Sequence, residues 1–302
     1  MIKYLPHSEV DKQKWDACIN ASKNRLVYNY SWYLDIASAG WGAIIYDDYK
    51  AVMPLCYRKK FTFEYIYPPY FIQQQGIFSP ENIDASLTKL FFDAIPTKFK
   101  FIEQYLNTGN IFEPGGYKVI YNSTYHLFLK DNYEALSKNF SQNHKRNIKK
   151  VAENNLVISH EASTDSIISL FRNGKGSKVK NLKDEHYKVL KELFLQCGNR
   201  QLLKFYNIKK DDKIICGAVF IVEGDTAIFI FSGADEDAKN SGAMTLLINQ
   251  FIIDHSGTNI TLDFEGSNIP GLARFYKGFG AIEKKYMLVT KNLLPPPFKW
   301  LK

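Results

Sequence analysis

The chain has 302 residues, 45% of them hydrophobic and 23% charged, a balance that excludes a disordered or fibrous protein and exceeds one ordinary core. Its formal charge is +8, and the whole excess lies in residues 136–302, because basic and acidic residues cancel over residues 1–135. A basic second half suits an anionic partner such as a phosphorylated cofactor or a nucleic acid, and it equally suits plain solubility.

In chain order, the first half reads as mixed α/β. VDKQKWDACINAS and YSWYLDIAS are expected as short helices, and GAIIYDDYKAVMPLCYRKKF alternates about Asp47 and Asp48 as a hairpin does. A proline-broken strand EYIYPPY follows, then a helix over ASLTKLFFDAI and strands near 100–106 and 117–130. PPYFIQQQGIF offers Gln73, Gln74 and Gln75 either as the lining of a polar substrate cleft or as an edge strand and turn, and Arg58 is open to the same two readings.

NYEALSKNFSQNHKRNIKKVAENN carries Leu136, Phe140, Ile148 and Ala152 on one stripe, which predicts a single helix with a basic opposite face. The charge changes here, so a second domain is expected to begin at 136, giving domains 1–135 and 136–302. Lys145 and Arg146 stand four residues before Lys149 and Lys150, a cationic strip suited to phosphates or to solvent. His144 falls on the apolar stripe and reads as a core histidine.

RNGKGSKVKN has a Gly-x-Gly and several cations but no preceding strand, so it reads as a mobile surface loop. LLKFYNIKKDDKIICGAVFIVEGDTAIFIFSGA predicts three consecutive strands. A helix GAMTLLINQFIID, a strand NITLDFEG, a helix ending near Lys277 and a strand KKYMLVTKN complete the pattern, with LLPPPFKW as a tail or edge cover. The expected fold class is α/β of the α+β type: two domains, each a mixed, mostly antiparallel sheet flanked by helices.

Four features bear on chemistry. In FSGADEDAKNSGAMTLL, Phe231, Ser232 and Gly233 end a strand, and Lys239, Asn240, Ser241, Gly242 and Ala243 are candidates for a phosphate cradle at a helix N-terminus; an ordinary N-cap is the alternative. Asp263 and Glu265 share a strand face, as proton acceptors, amine binders or locally satisfied carboxylates. Tyr276 stands on the last turn of a helix that meets glycines at 278 and 280, as a catalytic acid or a core aromatic above a glycine cap. Lys277 is its electrostatic helper. Cys18, Cys56, Cys197 and Cys216 are too scattered for a metal site and read as free thiols. None of the six histidines falls in a metal motif, so no metal is expected, and without an apolar span or signal core a cytoplasmic protein is expected.

The run of strand, glycine-bearing loop, helix, acid-ended strand and ARFYKGFGA resembles the acyl-CoA N-acyltransferase (GNAT) superfamily, whose last helix commonly carries Phe-Tyr-x-x-x-Gly; Phe275, Tyr276 and Gly280 stand in that pattern. Lys239 and Gly242 match two places of the family's pyrophosphate loop, and Met244 occupies its final small position. NHKRNIKK and LDFEGSNIPGLARFYKGFG make the chain similar to the tandem, FemABX-like branch, with Tyr276 where that branch usually has lysine. The resemblance implies acyl transfer from an acyl-CoA or an aminoacyl-tRNA to a small-molecule or peptide amine held between two domains. A non-catalytic ligand-binding protein that retains the fold is the alternative.

Overall fold

The computed structural model describes residues 1–152, 156–179, 181–210, 212–266, 268–296 and 298–301, with only the backbone of residues 150–152, 240, 300 and 301. Two compact units divide the chain: residues 1–122 together with 285–302, and residues 123–284. These limits depart from a single boundary at 135/136, for a reason visible in the strand pairing.

The first unit runs β1 (Ile2–Pro6), α1 (Lys12–Ala21), α2 (Ser31–Ala37), β2 (Trp41–Tyr46), β3 (Ala51–Lys60), β4 (Phe63–Ile66), α3 (Ala85–Asp93) and β5 (Phe99–Tyr105). Next comes β6 (Lys118–Phe128), whose last six residues belong to the second unit. That unit continues with α4 (Tyr133–Lys138), α5 (Gln142–Ala152), β7 (Val157–Ser159), α6 (Thr164–Asn173), α7 (Asp184–Asn199), β8 (Leu203–Lys210), β9 (Lys213–Glu223), β10 (Thr226–Ala234), α8 (Glu236–Ser241), α9 (Ala243–His255), β11 (Thr261–Asp263) and α10 (Pro270–Lys277). Most of β12 (Ile282–Asn292) returns to the first unit.

The strands of each unit follow one plan. In the first unit the order is β1-β2-β3-β4-β5-β12, antiparallel at every step except β4–β5. In the second it is β7-β8-β9-β10-β11-β6, antiparallel except β10–β11. The sixth strand of each sheet is supplied by the other half of the sequence, which is why the unit limits fall within β6 and β12. A parallel step requires a crossover, and helices α3 and α8–α9 provide it.

Local chemistry accounts for most boundaries. Side chains of Asp11, Asp84, Asn132 and Asp235 accept backbone N–H bonds at the starts of α1, α3, α4 and α8. The hairpin joining β2 to β3 turns through Asp47 and Tyr49 at positive φ. The single helix expected from residue 132 to 155 is instead two, α4 and α5. Its break follows from tertiary packing: Ser141 N–H donates to Gly278 O at 2.8 Å, and Phe140 meets Phe279 edge-on at 5.4 Å.

The second unit's core joins α9 and α10 to one face of its sheet. Phe220 stacks on Phe251 with centroids 4.0 Å apart, and Leu247, Ile248, Leu262 and Phe279 are fully enclosed. On this scaffold the sheet opens. β10 pairs with β11 only from Thr226↔Thr261 to Ile228↔Asp263. Beyond that point β10 follows β9 as far as Ala234↔Cys216, whereas Phe264 N–H bonds Tyr125 O at 2.9 Å beside β6. A bulge between Phe229 and Phe231 bends β10 at the same level.

Candidate functional site

A cavity of about 290 Å³ lies at this opening. Its apolar wall comes from Leu170 and Phe171 of α6, Phe229 of β10, Met244 of α9, and Leu272 and Phe275 of α10. The polar side chains on it are Lys175, Ser232, Lys239 and Tyr276. Apolar walls with a few converging polar groups are the usual make-up of a small-molecule site.

Helix α10 sets Tyr276 in place. Proline at its first position, Pro270, suits the start of a helix. Its end is tied by Phe279 N–H to Tyr276 O and by Gly280 N–H to Lys277 O, and Gly280 takes φ +85°, which only glycine adopts at little cost. Gly278 is helical (φ −62°), so its lack of a side chain serves packing: a Cβ there would lie 2.6 Å from His144 Nε2. His144 is buried, and Nε2 donates to Phe275 O at 2.8 Å. Burial holds its pKa below the ordinary histidine value.

Tyr276 is 8% exposed, stacked on Phe264 and tilted against Tyr125. Its hydroxyl makes no hydrogen bond to any described residue. Burial, then the charges of Glu265 and Asp263, push its pKa up, so the phenol stays protonated throughout the neutral range.

The two acids differ. Asp263, 2% exposed, accepts from Thr124 Oγ1 at 2.5 Å and from Glu265 N–H at 2.8 Å, with His126 Nε2 at 3.3 Å. Its oxygens are engaged in fixing the end of β11. Glu265 is half-buried and sits at φ +53°, a conformation that a non-glycine residue takes at a cost. Lys277 points elsewhere: it is exposed, bonds Glu283 Oε2 at 2.8 Å and lies over the Tyr125 ring. Glu283 holds its ammonium above the ordinary value, and it does not line the cavity.

Most of the expected phosphate cradle is helical. Residues 236–241 form α8, and Gly242 alone, at φ +81°, joins it to α9. The N–H of Lys239 bonds Asp235 O and that of Gly242 bonds Ala238 O, while Ser241 Oγ donates to Ala238 O at 3.1 Å. Ala243 is fully buried, and the side chain of Asn240 lies outside the described residues. Gly242 is a glycine for conformation and for space, since a Cβ would lie 3.0 Å from Asn147 Cβ. Phe231 does not line the cavity and packs behind it on Phe171. Gly233 lets α6 approach, with Ile167 O 2.4 Å from where a Cβ would sit. Only Ser232, Gly233 and Lys239 of the expected donor residues line the cavity.

The remaining candidates do not line this cavity. Gln74 and Gln75 are buried: Gln74 Oε1 accepts from Thr108 N–H, Gln74 Nε2 donates to Gln73 Oε1, and Gln75 Nε2 meets Cys56 Sγ. The three amides therefore hold a loop instead of presenting a polar cleft. Arg58 lies over Tyr67 at 4.3 Å. Lys145 donates to Lys138 O and Arg146 to Asn143 Oδ1. Burial pushes the thiols of Cys18 and Cys56 up to about 11 and that of Cys197 to about 12, so they are unreactive. Among the described residues no group of three or more His, Cys, Asp or Glu gathers as for a metal, and no described helix is long and apolar enough to cross a membrane. Lys175, within the supposed mobile loop, was missed; its only sequence signal was a lysine between two glycines.

Residues 138–268 match the family model described as acetyltransferase (GNAT) domain. Among solved structures the chain is similar to FemX, at 12% identity, TM-score 0.66, with 97% of this chain and 98% of that one covered. A tandem GNAT protein from the clavulanic acid biosynthesis pathway aligns at 10% identity, TM-score 0.55, over 98% and 99%. L-PGS from Bacillus licheniformis aligns at 12% identity, TM-score 0.50, over 86% and 87%. No curated protein matches the chain. Residues 138–268 therefore match a GNAT domain, and the chain as a whole has the fold seen in FemX and in that tandem GNAT protein.

Proposed function

We propose that the second unit is an N-acyltransferase whose donor acyl group enters the cavity beside Tyr276. The amine nitrogen attacks the acyl carbonyl, a C–N bond forms, and collapse of the tetrahedral intermediate breaks the bond to the leaving oxygen or sulfur. Tyr276 supplies the proton to that leaving atom; Glu265, outside the cavity lining but near enough for its charge to act on Tyr276, takes one from the incoming amine, and Asp263 fixes the strand end. The observation that carries this reading is the Tyr276 hydroxyl: on a buried ring, without a described partner, and lining the cavity. Buried tyrosine hydroxyls are usually bonded.

Of the two donors, an aminoacyl ester on RNA is favoured over a CoA thioester, because the N–H groups of Lys239 and Gly242, two of those that would hold a pyrophosphate, are engaged within α8 and its cap. The raised Tyr276 pKa supports the same choice, since a weak acid matches a strongly basic alkoxide better than a thiolate. Thermal shift with coenzyme A, acetyl-CoA and an aminoacyl-tRNA tests it. Stabilisation by the RNA ester that weakens with salt is expected. Stabilisation by acetyl-CoA alone reverses the donor assignment.

A further inference from the structure

The turn after α6 is built, not loose. Gly174 ends α6 where a Cβ would lie 3.3 Å from Ala234 O of β10, and at Gly176 a Cβ would lie 2.7 Å from the Phe171 ring. The approach at Gly176 requires glycine and that at Gly174 is tight, and both set the short 3-10 turn Lys175–Lys178 against cavity-lining residues. Lys175 stands between them and lines the cavity with Lys239.

The two ammonium groups are not equivalent. Lys239 is ion-paired with Glu236, whereas Lys175 makes no hydrogen bond or ion pair among the described residues. Among the described residues no carboxylate lines the cavity. Although Lys175 as a whole is exposed, desolvation at the wall and then the Lys239 charge hold its ammonium below the ordinary lysine value. A cation beside a second cation and an apolar wall gains most from an anion arriving with the ligand.

We propose that Lys175, with Lys239, forms an anion subsite of this cavity that takes a carboxylate or phosphate carried by the acyl donor. The inference rests on the cavity being the donor site. A carboxylate belongs to the acyl group, as in a dicarboxylic or acidic aminoacyl donor, and a phosphate belongs to the donor's carrier. The turn that carries Lys175 is held by packing: Gly176 has no room for a side chain and Gly174 little.

The test is anion binding without turnover, by thermal shift at constant ionic strength, with succinate, inorganic pyrophosphate and the uncharged succinamide. Wild type, Lys175→Met and Lys178→Met are compared; Lys178 lies on the same turn but does not line the cavity. An anion is expected to stabilise the wild type and the Lys178 variant, with apparent affinity at least about tenfold weaker in Lys175→Met and no response to succinamide. Succinate without pyrophosphate places the charge on the acyl group, and pyrophosphate without succinate places it on the carrier. No anion response, or equal losses in the two variants, overturns the subsite. Acyl transfer persisting in a protein blind to these anions would leave the transferase reading intact, and anion binding without any transfer would do the converse.

Discussion

The ring of Tyr276 lies stacked on Phe264, centroids 4.8 Å apart and planes 22° apart, so an α10 side chain is registered against the residue at which β11 parts from β10. An aromatic pair of this kind is worth about 0.5–1.5 kcal/mol beyond its buried area. It fixes the phenol independently of its hydroxyl, which leaves that hydroxyl available to the cavity.

Alkaline stability reports the burial of Tyr276. In the unfolded chain tyrosine ionises near about 10, and in the folded protein only at higher pH. The stabilisation is therefore complete below about pH 10 and is lost as pH rises through the folded value. Tyr276→Phe is expected to unfold at the same urea concentration as wild type at pH 7 and to lose stability less steeply above pH 10, by up to about 1.4 kcal/mol per pH unit. Identical alkaline slopes in the two proteins would remove the burial argument.

His144 gives the opposite limb. Its folded pKa is depressed, so its contribution is present above about pH 6.5, where unfolded histidine is neutral, and is lost as pH falls towards the folded value. In His144→Gln the decline in stability on acidification from pH 7 should be shallower than in wild type. Equal declines by circular dichroism would show that His144 stays uncharged in both states or charges freely in both.

Lys277 bonds Glu283 at the surface and does not line the cavity. Lys277→Met should keep transfer within about threefold of wild type, since exposed ion pairs contribute little. A loss of about 100-fold would return the acid role to Lys277.

Gly242 joins α8 to α9 at φ +81° with Asn147 close by. Gly242→Ala should lower stability by about 1 kcal/mol or more in urea titration. An unchanged midpoint would show that the junction relaxes. Loss of donor binding in a Gly242 variant thus reports folding before it reports a cradle.

Periodicity and turn chemistry carried the plan of the second unit: β8, β9 and β10, then α9, β11 and α10, all lie where alternation or helical spacing placed them. The same signals could not separate a phosphate loop from a short helix, because Asp235 as N-cap and Gly242 at positive φ suit both. Nor did they reveal that Gln74 and Gln75 are buried, since three adjacent amides are polar in sequence and become satisfied only through distant partners such as Thr108 and Cys56. The exchange of β6 and β12 and the placing of Lys175 depend on contacts far apart in the chain, beyond the reach of a local pattern. Tyr276 was legible as a residue but open as to role.

The most direct test of the account is the rate of acyl transfer to primary amines, from an aminoacyl-tRNA and from acetyl-CoA, by wild type and Tyr276→Phe of matched stability. Transfer by wild type from at least one donor, with a loss of roughly 100-fold or more in the variant, is the predicted result. Undiminished transfer by Tyr276→Phe, or no transfer by wild type from either donor, would contradict it.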